Sequence, residues 1–337
     1  MNILVHGTNW IGDAVMTIPA LRTMRALFPD ARLALLTREW ARDMFMGTDL
    51  FDEVVTTAPL LQQAAELRRK RFDLAVAFPN SFRSALALRL GGAKMIFGYA
   101  TERRSPFLTH PIPVPEWKND RHEVYYYLEL VKAVEKTLLG TDVEPAVFEP
   151  RLQIGEQRLN EAKELLRQSG IVDSRHTVAL APGSTNSQAK RWTPASFARL
   201  NDRLRSELGV NVVLLGSKDD QAVTQEVARI SVHRPIDLAG RTSLGQAAAV
   251  LGSMKLLISN DMGLAHLAPA VGTTTIVIFG PTNPITTRPF SENAFVVSAN
   301  VECAPCMLRT CPIDHRCMTR ISADDVYEKA KVILNGI

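Results

Sequence analysis

The chain has few of the residues that would tie a fold together covalently. Its 337 residues include only 4 cysteines, all within positions 303–317, so a disulfide framework spanning the fold is excluded. Charge of one sign is also scarce: 39 Lys+Arg against 35 Asp+Glu leaves a net +4. That excess is too small to imply a nucleic-acid partner, while an anionic small substrate or a lipid headgroup fits it. The opening Met1-Asn-Ile-Leu-Val-His-Gly7 has no basic lead and no long apolar run, so a signal peptide is not expected and a cytoplasmic location is. The most apolar later stretch, 265–280, is interrupted by His266, Pro269 and three threonines, and it falls short of the roughly 18 residues of a spanning helix.

The composition is ordinary for a globular protein, with 46% hydrophobic and 22% charged residues. At about 150 residues per domain the length predicts two domains. Short apolar runs at 2–7, 32–37, 53–57, 73–78 and 94–99 alternate with helical patterns at 13–27 and 81–90. Such alternation predicts a parallel sheet covered by helices on both faces. Four prolines then make 105–117 an expected extended loop, followed by a helix over 120–136. Gly140, Pro145 and Pro150 mark 139–152 as the interdomain linker. Beyond it the alternation restarts, with strands expected at 177–181, 211–216, 255–259 and 273–279. No fixed-period repeat is visible, which sets solenoids aside. The expected architecture is α/β: two Rossmann-like, doubly wound domains, 1–150 and 151–337, facing a cleft, with the last helix expected to pack back on the first domain.

In doubly wound sheets, ligands bind beyond the carboxyl ends of the strands. Four strand-end stretches therefore carry the candidate chemistry. In Gly7-Thr-Asn-Trp-Ile-Gly12-Asp13, Asp13 is either a first-turn acid favoured by the helix dipole or a general base. Ala181-Pro-Gly-Ser184-Thr185 with Lys190-Arg-Trp192 groups hydroxyls, amides and two cations suited to a pyrophosphate, or is a solvated basic loop. In Ser259-Asn-Asp261-Met262-Gly263-Leu-Ala-His266, Asp261 is either an N-cap or an acceptor for sugar hydroxyls beside a phosphate-binding helix start. His266 is a core histidine or part of that site. Gly216-Ser-Lys-Asp219-Asp220 either holds a ribose or caps a helix.

Together, Trp10-Ile-Gly-Asp13, Ala181-Pro-Gly, Lys190-Arg-Trp192 and Asn260-Asp261-Met-Gly263-Leu-Ala-His266 resemble glycosyltransferase family 9, the ADP-heptose:lipopolysaccharide heptosyltransferases, over nearly the whole chain. Phe78-Pro-Asn-Ser-Phe-Arg83-Ser-Ala is further similar to the members that add the second core heptose. The resemblance implies a GT-B fold, an N-terminal acceptor domain, a C-terminal ADP-heptose domain and inversion at the anomeric carbon. It implies Asp13 as base, and Ser184, Thr185, Lys190, Asp261, Met262, Gly263 and His266 as donor contacts, with a ribose-holding acid near Lys218 or Asp219. The acceptor it implies is a heptosyl-Kdo2-lipid A at the inner membrane surface, where Asn80, Arg83, Arg103 and Arg104 are the candidate contacts. No cofactor is required by that scheme.

Cys303, Cys306, Cys311 and Cys317 stand at x2, x4 and x5 spacings. They are read either as thiolate ligands for structural zinc or iron or as a loop of free thiols or disulfides. Two alternatives to glycosyl transfer accompany this reading: a nucleotide-sugar epimerase, and a metal- or redox-sensing module centred on the cysteines.

Overall fold

The computed structural model describes residues 1–45, 47–142, 148–171 and 173–336. The chain divides into two compact units, Met1–Pro150 and Arg151–Ile337. Positions 143–147 of the expected linker lie outside the described residues.

The first unit is built on a six-stranded parallel sheet. Its strands are β1 (Asn2–His6), β2 (Arg32–Thr37), β3 (Glu53–Thr56), β4 (Leu74–Ala77), β5 (Met95–Tyr99) and β6 (His110–Ile112). Their order across the sheet is β3-β2-β1-β4-β5-β6. The central strands are apolar without alternation: in β4 (Leu-Ala-Val-Ala) every residue is buried, as a strand covered on both faces requires. β6 was expected to be loop because of its prolines. Pro111 lies on an edge strand paired only to β5, where its missing N–H costs no ladder bond.

The expected helix over 13–27 is two helices, Ile11–Met16 and Ile18–Leu27, meeting at Thr17. Pro19 explains the break, since it has no N–H to donate and its ring crowds the preceding turn. The helix Phe82–Leu90 starts where Ser81 accepts from the Ser84 amide at 3.3 Å. The helix Glu123–Leu139 packs on Ile18–Leu27.

The second unit has a second six-stranded parallel sheet: β7 (Thr177–Ala181), β8 (Asn211–Leu214), β9 (Ile236–Asp237), β10 (Leu256–Asn260), β11 (Thr274–Phe279) and β12 (Ala294–Ser298). Its order, β12-β11-β10-β7-β8-β9, is the first sheet's order read from the other edge. β9 and β12 had no expectation. β9 is only two residues long, and β12 (Ala-Phe-Val-Val-Ser) is an edge strand with one buried, two part-buried and two exposed residues. The last helix, Ala323–Asn335, packs on Pro194–Leu208 of its own unit. Tyr327 is buried there, Arg203 lies 3.7 Å over its ring, and Arg203 and Arg199 reach Asp324 at 3.0 and 2.8 Å.

Candidate active site

In each sheet the strand order reverses between two neighbouring strands, β1 and β4 in one and β7 and β10 in the other. At such a point the loops leaving neighbouring strands run to opposite faces, and doubly wound sheets bind ligands in the crevice this creates. The sequence-derived candidates Asp13, Asn80, Ser184, Lys190 and Asp261 all follow these four strands.

In the second unit the crevice is wired by side chains. Asn260, the last residue of β10, is fully buried. Its amide nitrogen donates to the carbonyls of Pro182 at 2.7 Å and Gly183 at 3.2 Å, and its oxygen accepts from the Trp192 amide at 3.0 Å. One amide side chain thus pins both ends of the loop 182–192 against the next strand. The Trp192 indole, also buried, donates to the Ile321 carbonyl at 2.9 Å.

Beside it, Asp261 is 5% exposed. One carboxylate oxygen, Oδ2, receives the Lys190 ammonium at 2.7 Å and the Thr282 hydroxyl at 2.6 Å. These two donors offset the cost of burying the carboxylate. The capping reading of Asp261 does not hold: Met262 occupies the N-cap position of the helix Gly263–Ala270, and no side chain caps it. The Ala265 amide turns back to the Met262 carbonyl at 3.0 Å, and the Gly263 and Leu264 amides at the helix start have no side-chain cap, an arrangement suited to phosphate oxygens. His266 is buried within the same helix. Ser184 is buried, Thr185 is exposed at the loop, and the Ser184 carbonyl accepts from Arg191 Nε at 3.2 Å.

The acidic residue that packs into this crevice from β8 is Asp220. Its Oδ2 accepts from the Ser217 amide at 2.9 Å and hydroxyl at 2.7 Å, completing a capping box. Its other oxygen lies so close to Gly183 that a Cβ there would meet it at 2.1 Å, so only glycine fits that turn. Three residues of this region, Asn260, Thr282 and Asp220, show their roles only in the fold. Asn260 and Thr282 follow the rule that strand ends matter, but their roles depend on partners 68 and 21 positions away. Asp220 was indistinguishable from Asp219.

In the first unit Asp13 is half-buried in the first turn of Ile11–Met16, with Trp10 at the N-cap 55% exposed. Tyr127 lies in its field: burial, then the Asp13 charge, push the phenol well above its ordinary pKa. At the end of β1, burial and then the nearby Arg104 charge lower His6 to about 4. The candidate acceptor contacts separate. Arg83 and Arg103 are exposed, whereas Arg104 is fully buried. The Arg104 guanidinium donates to the Tyr99 carbonyl at 2.8 Å, to the Pro79 carbonyl, to Ser84 Oγ at 3.2 Å and to Asn80 Oδ1 at 3.2 Å. Desolvation lowers it to about 10. Arg104 therefore shapes the loop after β4 from beneath, and Asn80, which also donates to Tyr126 Oη at 3.0 Å, is the residue it orients. A docking charge at Arg104 is corrected to an internal support.

All four cysteines are free. Cys303 and Cys306 are exposed, Cys311 is part-buried and Cys317 is buried. Burial, then the charges of the other three, raise the Cys317 thiol. Among the described residues no group of three or more His, Cys, Asp or Glu side chains is arranged to hold a metal ion. The zinc or iron cage at Cys303, Cys306, Cys311 and Cys317 is accordingly not formed by these side chains.

Residues 61–316 match the model of glycosyltransferase family 9 (heptosyltransferase). Lipopolysaccharide heptosyltransferase 2 of Escherichia coli K12 is 31% identical over 313 residues, covering 88% of each chain. Lipooligosaccharide heptosyltransferase 2 of Campylobacter jejuni is 27% identical over 100% of this chain and 99% of its own. The solved structure of E. coli ADP-heptose lps heptosyltransferase II superposes with a TM-score of 0.87 at 26% identity, covering 100% of this chain and 99% of that one. An E. coli heptosyltransferase solved with ADP-2-deoxy-2-fluoro heptose shares the fold, with a TM-score of 0.71 at 19% identity, over 98% of this chain and 99% of that one. With two reversed parallel sheets and a charged crevice after β7 and β10, the chain belongs to glycosyltransferase family 9, the heptosyltransferases.

Proposed function

We propose that this enzyme transfers L-glycero-D-manno-heptose from ADP-heptose to the heptosyl-Kdo2-lipid A inner core during lipopolysaccharide biosynthesis. The observation that carries the donor half is Asp261 Oδ2 held between Lys190 and Thr282 at the reversal point of the second sheet. An ammonium and uncapped helix amides suit a nucleoside diphosphate, and a fixed carboxylate suits sugar hydroxyls. Ser184, Thr185, Met262, Gly263 and His266 line the same two loops and complete the proposed donor site. Membership in a glycosyltransferase family sets aside the epimerase and the metal- or redox-sensing alternatives.

In the proposed step the acceptor hydroxyl oxygen bonds to the anomeric carbon from the face opposite ADP. The bond between that carbon and the diphosphate breaks, its electron pair leaves with ADP, and the hydroxyl proton passes to Asp13. Lys190 and the helix amides offset the charge that develops on the diphosphate. The dipole of Ile11–Met16 favours the ionised form of Asp13, and the hydroxyl becomes acidic only as its new bond forms. No metal or other cofactor has a task in this scheme.

Asn80, Arg83 and Arg103 are the proposed acceptor contacts, with Arg104 acting through Asn80. The charges of Arg83 and Arg103 suit the anionic Kdo and lipid A phosphates. None of the described helices is long and apolar enough to cross a membrane. The proposed placement is cytoplasmic, with peripheral contact at the inner membrane surface through basic side chains.

The test is incubation with ADP-heptose and lipid acceptors that carry zero, one or two heptoses, read by mass spectrometry. Mass gain on the one-heptose acceptor alone is expected. Gain on the zero- or two-heptose acceptor instead would move the enzyme to the first or a later heptose.

A further inference from the structure

The segment 303–317 has no task in the transfer step, yet its backbone is fastened on both sides of Asp261. Both backbone groups of Ala189 are bonded to it. The Ala189 amide donates to the Arg309 carbonyl at 3.0 Å, and the Ala189 carbonyl lies 2.6 Å from His315 Nε2. A carbonyl only accepts, so Nε2 carries the proton and His315 is the donor. Ser187 Oγ donates to the same Arg309 carbonyl at 3.2 Å. On the other side, the Met307 amide donates to the Pro281 carbonyl at 2.8 Å.

The positions of these bonds matter. Ala189 immediately precedes Lys190, and Pro281 immediately precedes Thr282. Lys190 and Thr282 are the two side chains that converge on Asp261 Oδ2, at 2.7 and 2.6 Å. The segment therefore spans from the backbone that carries one partner to the backbone that carries the other.

Its own seat is fixed as well. The helix Arg316–Thr319 packs against β11 and the Gly280 that follows it, where a Cβ would meet Cys317 Sγ at 3.2 Å and the Met318 sulfur closer still. His315 sits just before that helix with φ 57, a left-handed conformation that costs a non-glycine residue energy. That backbone places the imidazole toward Ala189 while the His315 carbonyl accepts from the Met318 and Thr319 amides at 2.9 and 3.0 Å.

We infer that segment 303–317 is a brace that sets the separation of Lys190 and Thr282 across Asp261, with His315 as a positioning residue for the donor diphosphate. The inference rests on the donor-site reading given above. Without the imidazole the Ala189 carbonyl loses its donor, and the turn Gln188–Lys190 gains freedom that donor binding must then remove.

The experiment measures ADP affinity by calorimetry, and donor and acceptor KM by steady-state kinetics, on full-length variants. His315→Ala is expected to weaken ADP binding and raise donor KM by about tenfold, leaving acceptor KM unchanged. His315→Gln, whose amide can donate from a similar place, is expected to recover most of the loss. In a cycle with Lys190→Ala the two effects should not add, because His315 acts through Lys190. Ser187→Ala removes a more peripheral bond and is expected to cost about two- to threefold; it keeps the test open should His315→Ala fail to fold. Unchanged ADP affinity in both His315→Ala and Ser187→Ala, additive effects with Lys190→Ala, or no recovery in His315→Gln would overturn the brace. If Lys190→Ala itself leaves ADP affinity unchanged, the donor-site reading is what fails, and the brace falls with it.

Discussion

The two units share one sheet order and use it differently. In the second, the point where the strand order reverses is filled by charge and cross-loop bonds: Lys190 and Thr282 on Asp261, and Asn260 across to Pro182, Gly183 and Trp192. In the first, the corresponding region has a part-exposed Asp13, a buried Thr8 and Arg104, and a part-buried His6 in the field of Arg104. The shared fold supplies a crevice twice, and the chemistry comes from which side chains are placed there. A crevice that holds a charged diphosphate gains from prearranged partners, while one whose task is to remove a proton needs a carboxylate that a substrate can reach.

The contrast can be broken most sharply at Asp13. Asp13→Ala should lower turnover by about 10²- to 10⁴-fold, a typical general-base contribution, with ADP binding by calorimetry preserved. Near-normal turnover would remove the base from the first unit. Lys190→Ala should have the opposite signature, weakening ADP binding as well as lowering kcat/KM, by about 10²-fold. If Lys190→Ala lowered turnover without touching ADP affinity, the division of labour between the units would be wrong.

Two further outcomes concern Arg104 and His6 of the first unit. Arg104→Ala would leave the Tyr99 and Pro79 carbonyls and Asn80 Oδ1 without their donor. It should cost about 3 kcal/mol in urea unfolding. Loss of activity at unchanged stability would instead make Arg104 a direct acceptor contact.

His6 gives a pH signature. Its folded-state value, about 4, lies below the ordinary 6.5, so between those values the unfolded chain binds a proton that the folded chain does not. Stability is therefore fully present above pH 6.5 and falls as the pH drops toward 4, by on the order of 3 kcal/mol. His6→Leu should flatten that slope, and an unchanged slope would assign the acid sensitivity elsewhere. The smallest effect is expected from metal removal: EDTA should leave turnover unchanged, and a proportional loss of turnover with bound metal would return a ligand role to the cysteines.

Much of the architecture was legible because parallel strands covered on both faces leave unbroken apolar runs. β2 and β7 coincide with the expected runs at 32–37 and 177–181. β6 and β9 left no such trace, since a three-residue edge strand and a two-residue strand bury too little to need one, whereas β12 carries an apolar run, Ala294-Phe-Val-Val297, for which no strand is expected above. The site followed the same division. Asp13, Lys190 and Asp261 were visible as strand-end residues of suitable chemistry, whereas Asn260, Thr282 and Asp220 look like common polar residues until their partners are known.

The sequence by itself determined the two-unit α/β organisation, the strand ends on which the candidate chemistry stands, and the family resemblance carried by its short motifs. These depend on local periodicity and on neighbours within a few positions. Tertiary structure decided which of two adjacent arginines is a surface charge and which a buried support. It also decided that Asp261 is an ion-pair centre rather than a cap, and that the cysteine segment lies against the loop 182–192. Those outcomes depend on bonds between residues as far apart as Ala189 and His315, and no local pattern records such a separation.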